Sequence, residues 1–373
     1  MSDMDHKIKL MEPSFEPWVA EKAGQKRIAM LMSGGVDSSV SAHLLKQAGW
    51  DVLGITMKVP VPQCDVGARG CCGADAAFVC HELGLKHYFV DVCDAFEELI
   101  IEPFRKSYAM GQTPNPCVDC NSLLKFSLLW DLIEKEFGIE CVATGHYAKV
   151  YEGENGWRLG RGDDREKDQS YFLYGIPARR LSKLVLPLSN YSKNQIREIA
   201  GELGLSVAEK AESMELCFAG EGDYRGALGD GQAEMAGELL DIEGNVIGEH
   251  KGVSNYTIGQ RRGLGYASTE PLYVSKIDPM RNTVTLGKRG DVFAESVRAV
   301  ELNVLIEKEL KGDVELFGKI RSGGEPKGCR VAEYGGECLC VRFDEGVFAP
   351  AAGQKLVLYD GDDCVVAGGT IIS

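Results

Sequence analysis

Three short stretches hold the residue types that do chemistry. The first is SGGVDSS, residues 33–39, which follows an apolar run ending at Met32 and leads into a helix-like pattern. Two glycines let a backbone approach an anion closely, and the first-turn N–H groups of a helix have no partners inside it. Ser33, Ser38 and Ser39 add hydroxyl donors, so this strand–turn–helix reads as a phosphate cradle. It is neither GxxxxGK[ST] nor GxGxxG, so no lysine is placed by the motif and no dinucleotide fold is indicated. The second stretch is TPNPCVDCNSLLKFSLLW, residues 113–130. Pro114 and Pro116 read as barring helix until Asn121 or Ser122, which puts Cys117 and Cys120 on a loop at or just before a helix N-terminus. The dipole there favours thiolate. Such a CxxC pair reads as a redox dithiol, two metal ligands, or a nucleophile with a helper. The third stretch, AESMELCFAGEGDY at 211–224, carries Cys217 in an apolar-flanked run, where a lone cysteine is ordinarily a small hydrophobe.

The elements around these residues follow from periodicity. Strand-like runs at 27–32, 51–57, 86–91 and 140–144 alternate with helix-like stretches at 36–48, 74–84, 94–109 and 121–137, and a clear helix covers 192–205. Alternation of this kind predicts an α/β, doubly wound parallel sheet with helices on both faces. Ligands bind beyond the carboxyl ends of such strands, where SGGVDSS, Met57 and TGHYA (144–148) fall. After about residue 222, frequent glycines and short strands predict all-β or α+β modules, with boundaries near 222 and 290. Residues 1–25 are expected to be a loose extension.

Composition sets the outer limits. At 373 residues, 44% of them apolar, the chain expects two or three domains with real cores. No apolar h-region and no run of about 18 apolar residues occurs, so the expectation is a cytoplasmic protein with no membrane. The 13 cysteines then read as cytosolic thiols. A formal charge of −15 weighs against indiscriminate nucleic-acid binding but leaves local basic faces. Candidates are Arg179-Arg180 with Lys183, Arg261-Arg262, Lys288-Arg289, and Lys319 with Arg321. Cys64, Cys71 and Cys72 read as loop thiols rather than zinc ligands, and Cys338 and Cys340 as strand packing.

Taken together, the motifs resemble one family. SGGVDSS looks like the pyrophosphate loop of the N-type ATP pyrophosphatases. The ordered strings AMLMSGGVDSS, GITMK, TPNP..CN..LKF, ATGHYA, KDQSYFL, LCF.G..DYR, YTIGQRRGLG, PLYV and AP..GQ, from residue 29 to 354, resemble the tRNA-specific 2-thiouridylases. The resemblance implies an ATP-pyrophosphatase catalytic domain at 26–222, a small central tRNA-binding module at 223–289 and a C-terminal β-barrel-like domain at 290–373. It implies ATP and Mg²⁺, adenylation of the wobble uridine 34 of tRNA, and sulfur transfer to its C2, giving 2-thiouridine, AMP and pyrophosphate. The implied partners are the tRNA anticodon arm and a sulfur donor or sulfur-carrier protein.

Residue by residue, the resemblance gives Leu31, Met32, Ser33, Gly34, Gly35, Val36, Asp37, Ser38, Met57 and Gly145 to the nucleotide. It makes Cys120 the nucleophile and Cys217 the persulfide carrier. It gives His146, Lys167, Asp168, Gln169, Arg321, Ser322 and Gln354 to tRNA, and Arg261 and Arg262 with Tyr256 suggest a phosphate-and-stacking patch. The chain departs from the pattern at Cys117, where an aspartate is usual. Cys117, Cys120 and Cys217 are therefore also three candidate ligands of a [4Fe-4S] cluster, the alternative to a persulfide route. The rival readings are an amide ligase that adenylates a carboxylate, and an RNA-binding or sulfur-carrier module without catalysis.

Overall fold

A computed structural model gives the fold and describes residues 7–18, 26–60, 72–154, 156–211, 216–219, 224–228, 235–312, 314–335 and 337–372. These residues form two compact units, one built from 1–99 with 119–218 and the other from 100–118 with 219–373.

The first unit is a sheet flanked by helices. Its strands are β1 (Lys9–Pro13), β2 (Arg27–Leu31), β3 (Asp51–Lys58), β4 (Lys86–Asp91), β5 (Cys141–Ala143), the hairpin β6 (Ala148–Gly153) and β7 (Gly156–Arg161), and β8 (Leu184–Val185). The main sheet has the order β1-β4-β3-β2-β5-β8, parallel except for β1. Ile28, Ala29 and Met30 of β2 are fully buried, as a strand covered on both faces requires. Helices α1 (Val36–Gln47), α2 (Cys72–Glu82) and α3 (Cys93–Phe96) follow the first strands. A π-helical turn, Glu97–Ile101, joins α3 to α4 (Glu102–Ala109). Next in the chain come α5 (Pro116–Asp119), whose residues 116–118 belong to the second unit, and then, in the first unit, a π-helical stretch Cys120–Leu129, α6 (Trp130–Phe137) and, later, α7 (Lys193–Glu202). Val40, Leu45, Val79 and Ile196 pack with β2 in one core.

Consecutive βα units run outward from β2 through β3 to β4, and β5 then adds on the other side of β2. The sheet therefore reverses direction between β2 and β5, and the crevice beyond that reversal is where doubly wound folds bind ligands.

One expectation fails here. The segment 1–25 is not loose throughout: Lys9–Pro13 pairs antiparallel with β4 at the sheet edge. Ser14 continues that attachment, its Oγ 2.7 Å from Nδ1 of the buried His87. A one-residue register shift between Leu10 and Pro13 hid the strand from any alternation count. Cys64 and Cys71 lie outside the described residues, as does the side chain of Cys72.

The second unit contains a four-stranded sheet and a closed barrel. The sheet has the order β10 (Val246–His250), β9 (Gly237–Leu240), β12 (Thr283–Gly287), β11 (Tyr273–Asp278). The barrel runs β13 (Phe293–Val304), β16 (Cys338–Phe348), β15 (Lys327–Gly335), β14 (Leu316–Lys319), β17 (Lys355–Tyr359), β18 (Val365–Ile371), with α8 (Glu307–Lys311) packed on it. Closure removes exposed strand edges, and Val297, Leu339, Val341, Leu356 and Val366 fill the interior. Helix α4 belongs to this unit: Tyr108 stacks on Tyr224 at 4.9 Å, and Arg105 Nε donates to the Ala227 carbonyl at 2.9 Å.

Candidate active site

The loop between β2 and α1 is held open by its own serines. Gly34 has φ +70°, a conformation that costs glycine little. The Ser33 N–H donates to Ser38 Oγ (3.2 Å), and the hydroxyls of Ser38 and Ser39 donate back to the Gly35 carbonyl (3.1 and 2.8 Å). Gly35 caps α1 with no side-chain hydrogen bond, so the helix start presents backbone N–H groups rather than a cap. Met57 is the last residue but one of β3, and neighbouring Thr56 donates its hydroxyl to the Met32 carbonyl at 3.0 Å. Gly145, just past β5, lies against the start of α1: a Cβ there would be 2.8 Å from Ser38 N and 2.9 Å from the Asp37 carbonyl carbon. The structure thus brings together, at the sheet reversal, the Ser33–Ser39 loop and Gly145.

Asp37 is the charged centre of this loop. Lys193 Nζ donates to both its carboxylate oxygens at 2.7 Å, and Tyr147 OH donates to Oδ1 at 2.7 Å. Lys210 Nζ reaches the loop from elsewhere, donating to the Gly34 carbonyl at 2.9 Å and pairing with Asp75. Neither lysine was singled out from sequence. The one available signal was the S-x-x-Q capping box of Ser192 and Gln195, which makes Lys193 the first residue of α7.

The cysteine pair differs from its expected setting. Pro116 starts a helix rather than preventing one: Asn115 Oδ1 accepts the Val118 N–H (3.4 Å) as an N-cap, and proline suits the first helical position. Cys117 is exposed in that first turn, whereas Cys120 is 8% exposed and opens the π-helical stretch. Within the second unit, the loop before Pro116 is clamped. Thr113 N–H donates to the Ala352 carbonyl (2.8 Å), and Gln354 Nε2 donates to the carbonyls of Thr113 and Pro114 (3.0 and 3.3 Å). Cys217 is exposed, and its buried neighbour Phe218 meets Phe96 edge-on at 5.7 Å. Among the described residues, no three His, Cys, Asp or Glu side chains are placed to share one metal ion.

Several residues given to tRNA have other work. The Asp168 side chain is 1% exposed, paired with Arg161 (3.2 Å) and accepting the N–H groups of Gly162 and Ser170 (3.2 and 3.1 Å), so its carboxylate is internal to the fold. Gln169 joins KDQS to TGHYA, its Oε1 accepting the Tyr147 N–H at 3.0 Å. His146 bonds Thr144 Oγ1 at 2.8 Å, and burial, then the Lys125 charge, push its pKa down to about 3. It is a neutral imidazole at physiological pH. Lys167 is half-buried, while Arg321 and Ser322 are exposed, with Arg321 Nη2 on the Phe348 carbonyl at 2.8 Å.

The basic clusters fare unevenly. Arg261 and Arg262 are exposed, but Tyr256 is buried, its OH on the Leu264 carbonyl (3.4 Å), so it cannot stack on a base; Tyr266, 39% exposed, can. Arg180 is buried over Trp130 and paired with Asp131 and Glu134, which removes the Arg179-Arg180 face.

Comparison with known proteins gives three family matches along the chain. They are a tRNA methyl transferase HUP domain at 26–221, a tRNA methyl transferase PRC-barrel domain at 227–288, and an aminomethyltransferase beta-barrel domain at 294–372. A tRNA-specific 2-thiouridylase MnmA 1 of Syntrophus aciditrophicus is 41% identical over 370 residues, 98% of each chain. A tRNA-specific 2-thiouridylase MnmA of Salinibacter ruber is 42% identical over 364 residues, covering 92% of this chain and 94% of that one. Among solved structures, a U34-tRNA thiolase NcsA from Methanococcus maripaludis with its [4Fe-4S] cluster is 21% identical, with 53% of this chain and 63% of that chain covered and a TM-score of 0.34. Nothing rests on a likeness that slight.

Proposed function

Because the chain belongs to the family of tRNA-specific 2-thiouridylases, we propose how its residues divide that family's reaction among them. The protein is an ATP-using tRNA-uridine 2-sulfurtransferase. The observation that carries the reading is the Ser33–Ser39 loop at the sheet reversal, in a chain that matches such an enzyme over 98% of both lengths.

In the proposed reaction, residues 31–38 hold the polyphosphate of ATP, with Met57 and Gly145 beside the nucleotide. O2 of the wobble uridine attacks the α-phosphorus, the α–β bond breaks, and pyrophosphate leaves. Loop N–H groups stabilise the charge that develops on it. Asp37 is a carboxylate of the kind that binds Mg²⁺ together with substrate phosphates, and it would hold that ion once Lys193, which now pairs with both its oxygens, turns to the phosphates. Mg²⁺ would supply charge neutralisation on the phosphates. The terminal sulfur of a Cys217 persulfide then attacks the activated C2, and AMP leaves. The Cys120 thiolate breaks the remaining S–S bond, so 2-thiouridine departs and a Cys120–Cys217 disulfide forms. An external thiol reductant reopens it.

The remaining assignments belong to the same proposal. Residues 26–222 are the catalytic domain, 223–289 a tRNA-binding module and 290–373 the barrel. The anticodon arm is held by exposed Arg321 and Ser322 with Lys167, while His146 serves as a neutral hydrogen-bonding group. Gln354 and Asp168 act through the fold rather than by touching tRNA. A cytosolic sulfur-carrier protein loads Cys217.

The test is mass analysis of wobble nucleosides after incubating the protein with tRNA, ATP, Mg²⁺ and a persulfide-generating sulfur source. 2-Thiouridine should form, and Cys120→Ser and Cys217→Ser should each reduce it by roughly a hundredfold or more, the scale of losing a reacting group. Full thiolation by both serine variants would overturn the persulfide route. A wild-type protein that yields no 2-thiouridine, aerobically or anaerobically, would overturn the function.

A further inference from the structure

We propose that Lys193 and Lys210 form a two-lysine grip on the pyrophosphate half of ATP. The inference rests on the ATP reading above and names residues for a task that SGGVDSS cannot perform alone. Phosphate loops commonly combine backbone N–H groups with a lysine that neutralises the outer phosphates. This loop contains no lysine, yet the structure delivers two to it from the segment 192–210.

Both are positioned by α7. The Ser192–Gln195 capping box fixes the helix start, and the Lys193 backbone N–H donates to Asp164 Oδ2 at 3.1 Å, so the side chain emerges from a set point. Its Nζ then reaches Asp37 at 2.7 Å while the side chain is only 10% exposed. Arg197, one turn further along α7, donates to the carbonyls of Ala208 and Lys210 at 3.3 and 3.5 Å. That anchors the strand of chain from which Lys210 reaches the Gly34 carbonyl at 2.9 Å.

Charge accounting points the same way. Asp37 and Asp75 put two negative charges at the loop, and an anion would be repelled by them. Lys193 and Lys210 each cancel one of them. A multiply charged polyphosphate lying over the loop N–H groups competes for these ammoniums more strongly than a single carboxylate does. Tyr147 OH keeps Asp37 hydrogen-bonded when Lys193 turns toward the phosphate, so the exchange strands no group. After α–β cleavage, the same lysines face the leaving group and oppose its build-up of charge.

Three ligands separate this role from a purely structural ion pair: ATP, inorganic pyrophosphate and AMP, each titrated calorimetrically with Mg²⁺ against the full chain. Lys193→Met and Lys210→Met should each weaken ATP and pyrophosphate at least roughly tenfold, as expected for a lost charge-assisted contact, and leave AMP within about twofold. Lys193→Arg should restore part of the loss. Variants that melt earlier but keep the wild-type ratio of ATP to AMP affinity would overturn the grip. If Lys193→Met does not fold, Lys193→Arg and Lys210→Met carry the decision by the same ratio. A wild-type chain that binds none of the three would instead overturn the ATP reading itself.

Discussion

Gly145 and Gly201 are both described glycines with ordinary φ, yet replacing each with alanine should have opposite consequences. At Gly145 the new methyl would meet Ser38 N and the Asp37 carbonyl carbon at 2.8 and 2.9 Å, backbone atoms at the start of α1 that cannot swing aside. At Gly201, inside α7, nothing lies within 4 Å. Gly145→Ala should therefore cost about 1–3 kcal/mol of strain, drawn from the loop, and raise KM for ATP roughly tenfold or more. Gly201→Ala should leave KM alone and stabilise by up to about 1 kcal/mol, the helix-propensity difference. Steady-state kinetics and urea midpoints on the two variants read both effects; equal KM values would remove Gly145 from the site. At this scale the sequence was informative where chemistry is local. Ser33, Gly34 and Ser38 lie within six residues, so the turn that they hydrogen-bond into is legible from their types. Lys193 and Lys210 could not be found that way, because nothing in YSKNQIREI says that its lysine ends 2.7 Å from a carboxylate 156 positions earlier.

Elements tell a similar story, with two instructive failures. The parallel strands and the helices between them follow directly from apolar periodicity. The start of α5 departs from the expectation: Pro114 and Pro116 read as breakers, whereas Asn115-Pro116 is a cap followed by a favoured first helical residue. Strand β1 was missed because it is an exposed edge strand with an irregular register, so burial left no alternation to see. Its attachment centres on His87 of β4, whose Nε2 meets Thr56 Oγ1 of β3 at 2.8 Å and whose Nδ1 meets Ser14 Oγ. Burial pushes the His87 pKa down to about 4. Below the ordinary value of about 6.5 the unfolded chain takes up this proton while the folded chain does not, so unfolding is favoured as pH falls. Stability should hold above pH 6.5 and decline between 6.5 and 4 by about 1.4 kcal/mol per pH unit for this group, with His146 adding a similar decline. Urea midpoints at pH 7 and 5 measure the slope, which should flatten in His87→Asn; an unchanged slope would mean that the imidazole is not held neutral.

For the molecule as a whole, the difficulty is how a chain with 41 basic and 56 acidic residues binds a polyanion. Counting basic residues misleads, because many are committed inside the fold: Arg161, Arg180, Lys193, Lys319 and Lys355 are all under 9% exposed. The exposed Arg261-Arg262 pair in the second unit is different, since it adjoins Leu264, which is buried, and Tyr266, which is not. A turn anchored by an apolar residue and presenting two guanidiniums with an aromatic ring suits phosphates beside an unstacked base. Because phosphate contacts release counterions, their number is legible in the salt dependence of binding. Arg261→Ala with Arg262→Ala should weaken tRNA binding at low salt and reduce the slope of log K against log salt by about one per arginine engaged. The affinity for ATP should stay as it is, which separates lost contact from lost fold. Filter binding across a salt series measures the slope. If the double variant keeps the wild-type slope, these arginines are solvated surface, and the anticodon arm is held by Arg321 and its neighbours instead.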